Sequence, residues 1–172
     1  QFSREFTTTD LSVEDGMEIL KKIDHQKPYP IYIRLLAAAL VTSCFCFIFG
    51  GSLIDSCVTF FAGSTCYLLS CFLGKYDINF FIRGFCCCAA AAFIALFASV
   101  SISGTSYEHM ISGVIMLFVP GVAITNSIRD FLSGDMLSGI ARMTEAILIA
   151  VSLAAGVGVV LKVFGTIGGT LI

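Results

Sequence analysis

The sequence predicts an all-α, polytopic membrane protein with five transmembrane helices behind a short cytoplasmic N-terminal helix. Three observations predict it. Of 172 residues, 57% are hydrophobic and 13% charged, and the mean hydropathy is +0.94; a soluble domain runs at about 45–50% apolar and about 25% charged. From Arg34 onward the few charges divide the chain into uncharged blocks of membrane length. Lys and Arg fall almost entirely on one side of the resulting spans. A net charge of -2 and a pI near 5.6 supply no basic field for a polyanion, which excludes nucleic-acid binding.

The polar stretch 1–30 reads as the remnant of a cytoplasmic leader domain, and 31–172 as the transmembrane domain. The chain begins without Met and in mid-pattern, so it is expected to be part of something longer. Ser12 and Asp15 form a capping-box-like start. Val13, Met17, Leu20 and Asp24 mark one face of a short helix, with Glu14, Glu18, Lys21 and Lys22 solvated. Pro28 and Pro30 stop it. So short a helix cannot bury a core alone, and without an apolar h-region or cleavage site it is not a signal peptide.

Five spans follow. Twenty uncharged residues separate Arg34 from Asp55, nineteen separate Asp55 from Lys75, twenty-four Arg83 from Glu108, and nineteen His109 from Arg129; Ala146 to Leu161 is a fifth block. A helix needs roughly 20 residues, at about 1.5 Å each, to cross a core of about 30 Å. The expected helices are 32–50, 54–73, 82–100, 108–128 and 143–164. Continuous rather than alternating apolar runs favour helices over barrel strands. Gly50-Gly51 closes the first span and forms a short outer hairpin with Asp55. Ala37–Ala39, Ala89–Ala92, Ala154–Gly158 and the Gly165/Gly169 pair let helices approach closely, with the phenylalanines as lipid-facing bulk.

Orientation follows from the basic residues. Arg4, Lys21, Lys22, Lys27, Arg34, Lys75, Arg83, Arg129 and Arg142 share one side of the five-span arrangement, and Lys162 is left for the other. The positive-inside rule puts the N-terminus in the cytoplasm and the C-terminus outside.

All eight cysteines lie inside expected spans, with no C-x-x-C spacing. They read as small apolar packing residues. Three consecutive thiols at Cys86–Cys88 point in different directions around a helix, and His25 and His109 have no partner at ligand spacing, so neither a metal nor another cofactor is expected.

The segment from Met116 to Glu145 differs from the other spans. Pro120 removes an N–H, and Gly121 lets the backbone turn, so the fourth span is expected to break near its middle. Beyond the break, Thr125 lies under Arg129 and Asn126 under Asp130 at i,i+4 spacing. Such breaks are where secondary transporters hold anions and coupling ions. Thr125, Asn126 and Arg129 are candidates for substrate binding, and Asp130, Asp135 and Glu145 for ion coupling. Residues 131–141, with Ser133-Gly134-Asp135 and Ser138-Gly139, suit a re-entrant or interfacial turn. A structural alternative stands beside this: a Pro kink with snorkelling charges, and a salt bridge from Arg129 or Arg142 to Asp130 or Asp135.

These residues resemble the N-terminal half of the threonine/serine exporter family. The resemblance covers nearly the whole chain: the leader with Arg4 and the Leu11–Ile23 helix, Phe49-Gly50-Gly51 with Asp55, and Asn79. Above all it rests on Pro120-Gly121, the run Thr125 to Asp130, Gly134-Asp135, Ser138-Gly139, and Arg142 with Glu145. It implies a ten-helix exporter of two five-helix halves, fused or split into two subunits. It further implies a substrate that is a hydroxy amino acid or a small dicarboxylate such as succinate. This chain resembles the subunit of the split type with the larger leader. It would pair with a second membrane subunit carrying the complementary half, as a hetero- or homo-oligomer in a bacterial inner membrane. An odd number of spans agrees, since a following half would enter inverted.

Two function classes remain. One is a subunit of a secondary exporter for small polar carboxylates; the other is a non-transporting membrane scaffold or regulatory subunit. An enzyme is not expected, because no nucleophile sits near a base and no phosphate loop or metal set is present. Without a P-loop, transport would draw on a gradient.

Overall fold

The computed structural model describes residues 29–167 together with Met17, which is helical. The expected leader helix over Leu11–Ile23 otherwise lies outside the described residues. Every described element is a helix: α1 (Ile31–Ile48), α2 (Leu53–Lys75), α3 (Phe80–Ser101), α4 (Tyr107–Ile115), α5 (Gly121–Leu132) and α6 (Met136–Ile167). Four of these, α1, α2, α3 and α6, are long and apolar enough to cross a membrane. The chain is a polytopic helical membrane protein.

The expectation of five transmembrane helices is corrected in one place. The span read as 108–128 is two short helices, α4 and α5, joined by residues 116–120. Pro120 has no N–H to continue the α4 ladder, and the Gly121 amide turns back to the Val119 carbonyl at 2.9 Å. The span read as 143–164 starts earlier, at Met136, and its 32 residues make a rod of about 48 Å.

Local chemistry sets the helix ends. Ser52 caps α2 in a capping box: its hydroxyl accepts from the Asp55 amide (3.1 Å), and Asp55 Oδ2 accepts from the Ser52 amide (2.9 Å). Gly50, at φ +95°, makes the tight reversal before it. Asn79 caps α3 by accepting from the Phe81 amide.

The bundle is built around α3, which packs on α2, α4 and α6. Its core is made of small side chains. One cluster holds Cys46, Ala92, Ala95, Ala98, Met110 and Ile111; the next holds Ala62, Cys66, Ala91 and Val114. Small residues let backbones close in where lipid supplies no hydrophobic drive. Cys66 and Cys87 donate their thiols to each other's carbonyls, at 3.5 and 3.7 Å, across α2 and α3. Thr42 of α1 bonds the Thr59 carbonyl of α2, and a Cβ at Gly63 would overlap Thr42. The bulky phenylalanines, including Phe47, Phe61, Phe93 and Phe97, stand outward.

The register of α6 on α3 decides where everything after the break lies. Ser152 donates to the Phe81 carbonyl at 2.6 Å; one turn on, Gly156 lies against the Phe85 carbonyl; further along, Phe93 shares a groove with Val163 and Phe164. Both residue series ascend together, so α3 and α6 are parallel. The stretch between them therefore returns the chain to the end where α3 began. Because Phe81 meets Ser152, midway along α6, the first half of α6 extends past the start of α3.

Candidate functional site

Along that first half of α6 runs α5, antiparallel. Ser127 touches Met143 (3.9 Å), Asp130 pairs with Arg142, and Gly139 admits the Phe131 ring. The two helices form a hairpin that continues beyond the end of the bundle. Arg142 is ten residues from Ser152, so Asp130 lies about 15 Å along α6 from the level of the first turn of α3.

The hairpin turn explains the small polar residues at 133–139. Gly134 takes φ +82°, the Asp135 amide bonds the Asp130 carbonyl and the Gly134 amide bonds the Phe131 carbonyl, which together form a Schellman closure of α5. Asp135 then caps α6 by accepting from the Ser138 amide at 3.2 Å. The segment expected as a re-entrant or interfacial turn is thus the tip of a helical hairpin.

The candidate residues are not gathered into one pocket. Thr125 is exposed and bonds back to the Gly121 carbonyl; Asn126 is half-buried; Arg129 is exposed. Asp130 is half-buried, its Oδ2 3.2 Å from Arg142 Nε. That contact is an ion pair without hydrogen-bond geometry. It is one of the pairs that the structural alternative left open. Asp135 serves as a cap and is exposed, and Glu145 is exposed on α6. Pro120 and Gly121 stand at the start of α5. The break was expected at mid-span, but Phe118, two residues before Pro120, lies beside Phe80 and Arg83, in the first turn of α3. The interruption is at the end of the bundle.

Sequence reasoning missed two polar features. Asp55 is buried, and besides its cap it accepts from the Ser106 amide at 3.1 Å, tying α2 to the start of α4. Arg83 lines a cavity of about 110 Å³ with Ser70, Phe80, Phe118, Ile149 and Leu153. Its signal was present: three apolar residues, Phe80 to Ile82, separate it from the Asn79 cap, placing the charge a full turn inside an apolar helix.

A bundle of apolar helices, packed through small residues and interrupted at a Pro-Gly step, defines the class as a polytopic helical membrane protein with a discontinuous helix. The family model described as "Putative threonine/serine exporter" matches residues 1–164. The chain belongs to the threonine/serine exporter family. It is similar to the "Probable succinate transporter subunit YjjP" of Escherichia coli (strain K12), 26% identical over 144 residues, covering 81% of this chain and 55% of that one. It is also similar to the protein of the same name in Klebsiella aerogenes, 26% identical over 160 residues, covering 90% of this chain and 61% of the other. The chain thus spans somewhat over half the length of these relatives. No solved structure matches it.

Proposed function

We propose that the chain is part of a secondary exporter subunit that moves a small polar carboxylate, a hydroxy amino acid or a dicarboxylate such as succinate, out of a bacterial cell. The observation that carries this reading is the family match over residues 1–164, on a fold interrupted at Pro120-Gly121. The two similar proteins both carry the name "Probable succinate transporter subunit".

In this reading the chain crosses the inner membrane five times, the fourth time through α4 and residues 116–120, with the N-terminus cytoplasmic and the C-terminus external. The parallel α3 and α6 support the odd count, because the chain must cross back between them. Residues 1–30 belong to the cytoplasmic leader. The α5–α6 hairpin then lies at the cytoplasmic end. Leu132 and Leu137 at its tip are 85% and 84% exposed, and Val122, Ile128 and Ile140 are exposed along it. So much apolar surface needs lipid or protein cover. A second membrane subunit carrying the complementary half supplies it.

Arg129, exposed on α5, meets a substrate carboxylate bidentately, as a guanidinium fork does; Thr125 and Asn126 flank it. Asp130, Asp135 or Glu145 carries the coupling proton. The Arg142–Asp130 pair and the Asp135 cap favour a second reading for those two carboxylates, as supports of the hairpin. Uptake of radiolabelled threonine, serine and succinate into inverted vesicles holding this chain and its partner tests the function. Accumulation of at least one supports transport. Accumulation of none, with both chains inserted, would leave the scaffold or regulatory reading.

A further inference from the structure

The cavity at Arg83 lies outside every residue assigned above to substrate or coupling. Its walls come from four elements: Ser70 near the end of α2, Phe80 and Arg83 from the first turn of α3, Phe118 from the interrupted segment, and Ile149 and Leu153 from α6. Gly84 holds the α6 wall close, since a Cβ there would stand 2.8 Å from Ser152 Oγ. Gly74 leaves room for the cation, because a Cβ there would come within 3.3 Å of Arg83 Nη1.

Electrostatics makes this cavity unusual. Arg83 is half-buried and charged at every accessible pH. Among the described residues no carboxylate lies within ion-pairing distance of it; the ion pair present there is Arg142–Asp130. Apart from Arg83 itself, the lining offers one polar side chain, Ser70, against four large apolar ones. A cation held at the edge of the membrane without a counter-charge is costly, and ionisable residues in that position mark substrate or ion paths. About 110 Å³ is the liquid volume of three to four waters. Metabolite pockets run at about 300–1,000 Å³, so the space suits one carboxylate group with the rest of its molecule outside.

We infer that Arg83, with Ser70, holds a carboxylate of the transported molecule in this cavity, against Phe118 of the interrupted segment. The inference rests on the exporter reading and adds to it a second carboxylate position, distinct from Arg129. Occupancy is linked to the break, because Phe118 forms one wall and stands two residues before Pro120.

Two measurements on this chain with its partner subunit test the site. The first is transport in reconstituted vesicles, comparing wild type with Arg83→Gln and Arg83→Lys. The second is modification of Arg83 by an arginine-specific dicarbonyl, followed by mass spectrometry, with and without millimolar succinate or threonine. It is run in phosphatidylcholine vesicles and repeated with phosphatidylglycerol. The expected result is at least a tenfold rise in KM for Arg83→Gln, a smaller rise for Arg83→Lys, and slowed Arg83 modification when a carboxylate is added in neutral lipid. Wild-type KM in Arg83→Gln, with wild-type transport intact, would overturn the site and leave the exporter reading standing. Protection by phosphatidylglycerol alone would overturn it in favour of a lipid headgroup. If wild type carries no probe, the exporter reading fails and with it the transported molecule; carboxylate protection of Arg83 then supports a carboxylate-binding cavity alone, and absence of protection overturns that as well.

Discussion

Asp130 Oδ2 lies 3.2 Å from Arg142 Nε, and this contact joins the two helices that meet at the Ser133-Gly134-Asp135 turn. Arg142 is about half exposed, so the pair is worth about 0–1 kcal/mol in stability. The charge on Asp130 therefore gives the hairpin a modest support beside the packing of Ser127, Gly139 and Phe131 at its interface.

Asp130→Asn is expected to leave expression unchanged and unfolding free energy within about 1 kcal/mol of wild type, while abolishing accumulation driven by an imposed pH gradient. Substrate counterflow should persist. Gradient-driven accumulation at the wild-type level in the variant would remove Asp130 from proton coupling.

Arg129→Ala should reduce transport at least a hundredfold, about 2.7 kcal/mol, with normal membrane insertion. Arg129→Lys keeps the charge but loses the fork, so an intermediate rate is expected. Initial rates in vesicles with matched protein content decide it; an unchanged rate in Arg129→Ala would make the residue an anchor at the hairpin.

Gly156 lies against the Phe85 carbonyl, whereas a Cβ at Gly158 meets nothing within 4 Å. Gly156→Leu is expected to separate α6 from α3 and cost about 1–3 kcal/mol. Gly158→Leu should cost much less. Thermal unfolding in detergent, followed by size-exclusion fluorescence, compares the two; equal losses would contradict the α3–α6 register.

Asp55 accepts from the Ser52 and Ser106 amides while buried. In Asp55→Asn one of these amides faces an NH₂ group, and an unsatisfied buried donor costs about 1–3 kcal/mol. The same unfolding assay should show that loss. Asp55→Glu is expected to fare no better, since the longer side chain cannot serve both amides from one position.

A cysteine added after Ile172 is expected to react with an impermeant thiol reagent in intact cells, and one replacing Ser133 to react only after permeabilisation. The reverse pattern would invert the proposed orientation.

Much of this was legible in the chain. Spans 32–50, 54–73 and 82–100 correspond to α1, α2 and α3 within a few residues, because an uninterrupted apolar run in a membrane has one way to satisfy its backbone. The Pro120-Gly121 step announced an interruption, since Pro lacks the N–H whatever surrounds it. The hairpin did not announce itself: Gly134, Asp135, Ser138 and Gly139 looked like a polar path, and are a Schellman closure, a cap and a seat for Phe131. Small polar residues serve turns and pores alike, and only the partner across the contact tells which.

By itself, then, the sequence determined the membrane class, the apolar helices, the interruption and the family, all of which depend on local composition and on motifs within a few turns. The tertiary structure alone decided depth. Ser152 meets Phe81, seventy-one residues away, and that register carries α5 beyond the end of the bundle, brings Phe118 to Arg83 and places Asp130 beside Arg142. Such a register is set by how the side-chain volumes of two distant helices interlock, with Gly84 and Gly156 admitting their neighbours, and no periodicity within either helix contains it.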